Sequence, residues 1–135
     1  MIIVYIPGCW DLLHTGHLNA LERARTYGDR LIVGVESDEL IYAEKGRCAS
    51  INQNDRCRML QALRCVDAAI VFTSFDYTGI LRNLSPDVLV FGESHTQERH
   101  QSAIDHMIKR GGRVVRLPYT PDISTTAIIE KAKMA

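Results

Sequence analysis

The run Gly8-Cys9-Trp10-Asp11-Leu12-Leu13-His14-Thr15-Gly16-His17 decides how this chain is read. An apolar stretch at residues 2–6 precedes it and a helix-patterned stretch at 18–27 follows it. It therefore lies at the carboxyl end of a first strand, in the loop of a βα unit, where open α/β sheets bind ligands. His14 and His17, three residues apart at a helix start, face roughly the same side. They face whatever the helix N-terminus attracts, and free N–H groups together with the macrodipole attract phosphate. Gly16 between them lets the backbone come close to a ligand. The same residue types leave two other readings open: metal ligation by His14, His17 and Asp11, and a purely structural pair.

Outward from this loop, strand-like runs alternate with helical periodicity to the end of the chain, which predicts a parallel sheet covered on both faces. Strands are expected at 2–6, 30–35, 68–72, 88–91 and 113–117. The first helix carries Leu18, Leu21 and Ala24 on one side and should end at Gly28 as a C-cap. Ser37-Asp38-Glu39 opens a short helical turn, and Lys45-Gly46-Arg47 begins a polar connection that runs to Asn54. Asn52 or Asn54 caps a helix reaching about Cys65, and further helices are expected at 76–84, 97–110 and 125–133. Ile104, Met107 and Ile108 should form the buried side of the helix at 97–110. With right-handed crossovers the expected fold is a Rossmann-like, doubly wound, five-stranded parallel sheet of order 3-2-1-4-5. Its switch point lies between strands one and four, which brings His14, His17 and the Gly92 loop to one crevice.

Residues 1–135 are long enough for one domain with a core of its own. Sixteen basic and sixteen acidic side chains give a formal charge of zero, so no global field draws in nucleic acid or an anionic membrane. No apolar run approaches a membrane span, and the first residues lack the pattern of a signal peptide. Cys9, Cys48, Cys57 and Cys65 match no metal-binding or redox spacing; reduced thiols in a cytoplasmic protein are expected. Cys9 alone stands in the motif loop, where a nucleophile paired with His14 is conceivable.

Gly8 to Asp11 and His14-Thr15-Gly16-His17 resemble the G-x-[FWY]-D and H-x-G-H motifs of the nucleotidyltransferase superfamily, in particular the small cytidylyltransferases. Ile123-Ser124-Thr125-Thr126 resembles the I-S-T-T motif of the same proteins. The stretch from Gly28-Asp29-Arg30 through Ser37-Asp38-Glu39 to Lys45-Gly46 is similar to the choline-, ethanolamine- and glycerol-phosphate enzymes. Pro86-Asp87-Val88 and Gly111-Gly112 are similar instead to adenylyltransferases acting on a sugar 1-phosphate, such as the heptose enzyme.

The resemblance implies a cytidylyltransferase-like enzyme that joins CTP to a small phosphorylated alcohol or polyol, giving a CDP-alcohol and pyrophosphate. The alternative is a sugar 1-phosphate adenylyltransferase, and a third reading is a nucleotide-binding module without turnover. His14, His17 and Lys45 would be the catalytic residues. Gly8, Cys9, Trp10, Asp11, Gly16, Arg56, Gly92, Glu93, Ser124 and Thr125 would bind the nucleotide, and Lys45 with Arg47 would close on substrate phosphates. Mg²⁺ would arrive with the triphosphate, with no metal site of the protein's own. His95 and His100 are further candidates for the acceptor phosphate. Family members are commonly dimers, which implies a homodimer. Two positions depart from the pattern: Tyr119 stands where the close relatives have arginine, and Gly92-Glu93-Ser94 where they have G-D-D or G-x-D. No G-x-G-x-x-G follows the first strand and no Walker A motif occurs, which disfavours a dinucleotide dehydrogenase or P-loop enzyme.

Overall fold

The computed structural model describes residues 1–92, 97–118 and 125–134. Five parallel strands, β1 (Ile3–Gly8), β2 (Arg30–Glu36), β3 (Ala68–Phe72), β4 (Val88–Gly92) and β5 (Arg113–Leu117), form one sheet in the order β3-β2-β1-β4-β5. The Rossmann-like order expected from the alternation is the one observed, with the reversal between β1 and β4. The helices are α1 (Thr15–Arg25), α2 (Asp38–Lys45), α3 (Gln53–Gln61), α4 (Thr78–Leu84), α5 (Gln101–Lys109) and α6 (Thr125–Lys133).

Alternate residues of each strand feed two cores, as the period of a strand buried on both faces requires. Val4, Ile6, Val33, Val35, Val88 and Val90 pack with Leu21 and Ala24 of α1 and Leu60 of α3. Tyr5, Ile32, Leu89 and Phe91 face the other way, onto Tyr77 and Leu81 around α4 and Ala103, Ile104 and Met107 of α5. The strands are aligned by carboxylates at their amino ends. Asp29 and Asp87 accept from the N–H groups of Ile2 and Ile3 at 2.7 and 2.9 Å, and Asp67 accepts from Leu31 at 2.8 Å. Each aspartate directly precedes or opens its own strand and caps a neighbouring one, so the G-D-R, V-D-A and P-D-V triplets are register devices.

Several local expectations are corrected. α1 runs from Thr15 to Arg25, and its C-cap is Thr26, two residues before Gly28. Gly28 is instead required by packing, since a Cβ there would lie 2.7 Å from the Ile2 carbonyl and from Val4. The turn expected at 37–39 is the start of an eight-residue helix, capped by the Ser37 side chain and closed by Gly46 at φ 67°. Residues Gln97–His100 are a 3-10 turn, and only Gln101–Lys109 is α-helical. Ile108 is 65% exposed; Ala103 takes its place on the buried side. Of the two candidate caps, Asn52 accepts from Asp55 N–H at 2.9 Å and opens α3.

Candidate active site

The loop between β1 and α1 holds two non-glycine residues at positive φ, Trp10 at 57° and Leu12 at 49°. Such a backbone costs on the order of 1 to 3 kcal/mol per residue and persists only where the surroundings over-determine it. Three side chains do so here. The Trp10 indole is buried, donates to the Gly34 carbonyl at 2.9 Å, and lies where a Cβ on Gly8 would collide at 2.7 Å. Gly8 is therefore the seat of Trp10. The buried Asp11 carboxylate accepts from the N–H groups of Ser50 and Ile51 at 2.8 and 3.0 Å. Arg56 donates to the Cys9 carbonyl at 2.7 Å.

Arg56 was expected among the nucleotide-binding residues. Its guanidinium is fully buried and donates as well to Ile51 O, Glu36 O and Asp38 Oδ1, at 2.8, 2.7 and 2.6 Å. With these acceptors it joins the motif loop, β2, α2 and α3 and presents no free face to a ligand. Asp11 is spent in the same way on the 46–52 connection, and Trp10 on β2. These residues build the loop on which the histidines stand.

His14 is the N-cap of α1. Its Nδ1 accepts from Gly16 N–H at 3.1 Å, and His17 Nδ1 accepts from His14 N–H at 3.2 Å. This is a capping box made of histidines, which is a physical reason for the H-x-G-H spacing. The rings stack at 3.8 Å and 22°, and Trp10 meets His17 edge-on at 5.4 Å. Because each Nδ1 accepts a backbone hydrogen bond, the proton of each neutral ring sits on Nε2. Burial lowers the pKa of His14. Burial, then the neighbouring His14, pull His17 down to about 4, against the opposing charge of Asp11. At neutral pH the pair thus consists of uncharged N–H donors. His14 Nε2 is closed to solvent and has no partner among the described residues. A buried donor left without an acceptor costs about 1 to 3 kcal/mol, and a ligand oxygen would recover it.

Lys45 is the last residue of α2 and is exposed. Its charge acts on both Cys9 and Glu36, which puts the ammonium within electrostatic reach of the motif loop. Arg47 follows in the same connection, half-buried. Burial raises the Cys9 thiol above its usual range, so a thiolate nucleophile at Cys9 gains no support. All four cysteines are free thiols. Gly92 ends β4 at the switch point, opposite Leu117 of β5. His100 is buried, hydrogen-bonded to Tyr77 at 2.8 Å and stacked on Phe91, which removes it from the acceptor candidates. Thr125 is the first residue of α6. Glu93, His95, Tyr119 and Ser124 lie outside the described residues. Among the described residues no three His, Cys, Asp or Glu side chains are grouped to hold a metal ion, and no helix is long and apolar enough to cross a membrane.

The structural alphabet of the site has relatives. The family model of cytidylyltransferase-like proteins matches residues 5–131. Over 132 residues the chain is 39% identical to the bifunctional protein HldE of Hyphomonas neptunium and, again at 39%, to that of Geotalea uraniireducens. Each match covers 97% of this chain but 27% of the relative, so the chain spans about a quarter of those proteins. Among solved structures, a lipopolysaccharide core biosynthesis protein from Thermoplasma volcanium superposes with a TM-score of 0.74 at 28% identity. That likeness covers 89% of this chain and 98% of the other.

Proposed function

This chain belongs to the cytidylyltransferase-like family of nucleotidyltransferases, and from that premise we propose that it adenylylates a sugar 1-phosphate. The observation that carries the chemistry is His14 Nε2, a neutral, buried donor without a partner among the described residues, at the head of α1. The phosphate oxygen of the acceptor attacks the α-phosphorus of the nucleoside triphosphate, a P–O bond forms, and pyrophosphate leaves. An ionised phosphate needs no general base. The work left to the protein is alignment and stabilisation of charge on the α-phosphate and the leaving group. His14 and His17 supply Nε2–H donors with the α1 dipole behind them, and Lys45, exposed at the end of α2, supplies a positive charge. Mg²⁺ would neutralise the triphosphate. Asp11, whose charge acts on His17, has both oxygens engaged by backbone N–H groups, so the ion's ligands would come from the phosphates and water.

The HldE likeness supports the heptose-type, adenylyl reading over the one favoured by the motifs alone, CTP with a small phosphorylated alcohol. The Pro86-Asp87-Val88 and Gly111-Gly112 elements point the same way. A cytoplasmic location, where nucleoside triphosphates are abundant, and a homodimer belong to the same proposal. The test is release of pyrophosphate from ATP and from CTP, each with a sugar 1-phosphate and with glycerol 3-phosphate. Turnover with ATP and the sugar phosphate is expected. Turnover confined to CTP and glycerol 3-phosphate would return the protein to the cytidylyl reading, and none with any pair would leave a binding module.

A further inference from the structure

Glu36 ends β2 and is 4% exposed, although it is a carboxylate on the strand next to β1. Its side chain meets that of Glu44, in the last turn of α2. The Glu44 side chain is only 11% exposed, and its Oε1 accepts from Arg99 at 2.9 Å. The second oxygen of each carboxyl, Glu36 Oε2 and Glu44 Oε2, is sealed from solvent and finds no donor among the described residues. Two buried carboxylates whose side chains meet repel unless a proton lies between them. One proton satisfies both. Glu44 and Lys45 of α2, Arg99 of the 3-10 turn and the Cys9 thiol of the motif loop all interact with this corner electrostatically, and Arg56 of α3 binds the Glu36 carbonyl. Burial first, then Glu44, push Glu36 up to about 7, and Lys45 and Arg99 oppose the shift.

We propose that Glu36 and Glu44 share one proton, and that this bond is a latch fastening the last turn of α2 to the end of β2 so that Lys45 stands beside the motif loop. Both are positioning residues, acting on substrate through Lys45; that half of the inference rests on the nucleotidyl-transfer reading above. When the shared proton leaves, two buried anions face one Arg99, the last turn of α2 is pushed off the sheet, and Lys45 goes with it. The latch is closed on the acid side of neutrality and open on the alkaline side.

Two measurements separate the latch from the reading it rests on. Infrared difference spectra of the unliganded protein in heavy water, at about pH 6 and about pH 8.5, should show a protonated carboxyl band that disappears at the higher pH. Glu36→Gln should abolish the band, because an amide donates to Glu44 at every pH; Glu44→Gln serves as a second variant should the first fold poorly. Absence of the band from the wild type at pH 6 would overturn proton sharing whatever the enzyme does. In turnover, kcat/KM for the nucleotide should fall above neutrality by up to about tenfold per pH unit, the limit for one proton. Glu36→Gln should flatten that limb. A limb that survives Glu36→Gln would overturn the latch as its cause. A band that behaves as expected, with turnover insensitive to both pH and Lys45→Met, would overturn the link to Lys45 alone.

Discussion

At the scale of the residue, the protonation of His14 and His17 is decided by two backbone N–H groups. Each Nδ1 is occupied by a helix-start donor, so each Nε2 carries the proton and is a donor. Donors aimed at charge that develops in the transition state act on kcat more than on ground-state binding. His14→Ala or His17→Ala should therefore lower kcat by roughly 10² to 10³ with little change in nucleotide affinity. Single-turnover kinetics beside calorimetric titration would show it, and a variant with normal turnover would refute the assignment. Sequence spacing was sufficient to pair these histidines. It could not say which nitrogen is free, because that depends on which hydrogen bonds the first turn of α1 makes.

At the scale of the element, the connection from Gly46 to Asn52 is tied down from two sides. Asp11 receives the amides of Ser50 and Ile51, and Arg56 grips the Ile51 carbonyl. Asp38 and Gln53 also cap each other's helices reciprocally, at 2.9 and 3.1 Å. α2 and α3 are thereby held to the motif loop; Lys45 directly precedes the tethered segment and Arg47 lies within it. Asp11→Ala removes both acceptors at once. It should speed amide hydrogen exchange at Ser50 and Ile51 and cost about 1 to 3 kcal/mol of stability, the range for buried groups left unpaired. Protection unchanged at those two amides would show that Asp11 does not hold the segment. The caps at Ser37 and Asn52 were readable as serine and asparagine before helical runs. The inward turn of Arg56 was not, because its acceptors lie 5, 18, 20 and 47 residues away in sequence.

At the scale of the whole molecule, two buried titrating corners give stability opposite slopes with pH. His17 falls from 6.5 to about 4 on folding, so its contribution is present above pH 6.5 and is lost as pH drops toward 4. Glu36 rises from 4.5 to about 7, so its contribution is present below pH 4.5 and is lost as pH climbs to 7. Each is on the order of 2 kcal/mol after allowance for partial solvent access. Between about pH 4.5 and 6.5 they oppose each other. Urea midpoints of the wild type should therefore vary little across that window, whereas Glu36→Gln should expose the histidine slope and lose stability steadily on acidification. Parallel profiles for the two proteins would show that Glu36 carries no such linkage.

The order of the elements, the parallel sheet and the position of the switch point followed from the sequence, because period-2 and helical patterns together with right-handed crossovers leave few ways to arrange five such strands. The motif loop and its two histidines followed as well, since their spacing is local to one helix start. The tertiary structure alone decided that Trp10, Asp11 and Arg56 face inward as supports, that Gly8 and Gly34 make room for aromatic rings, and that Glu36 meets Glu44. Each of those outcomes depends on the free energy of a polar or bulky group at a place assembled from distant segments. A buried charge stays where partners satisfy it, and partners brought together by sheet order rather than by spacing leave no pattern in a single sequence.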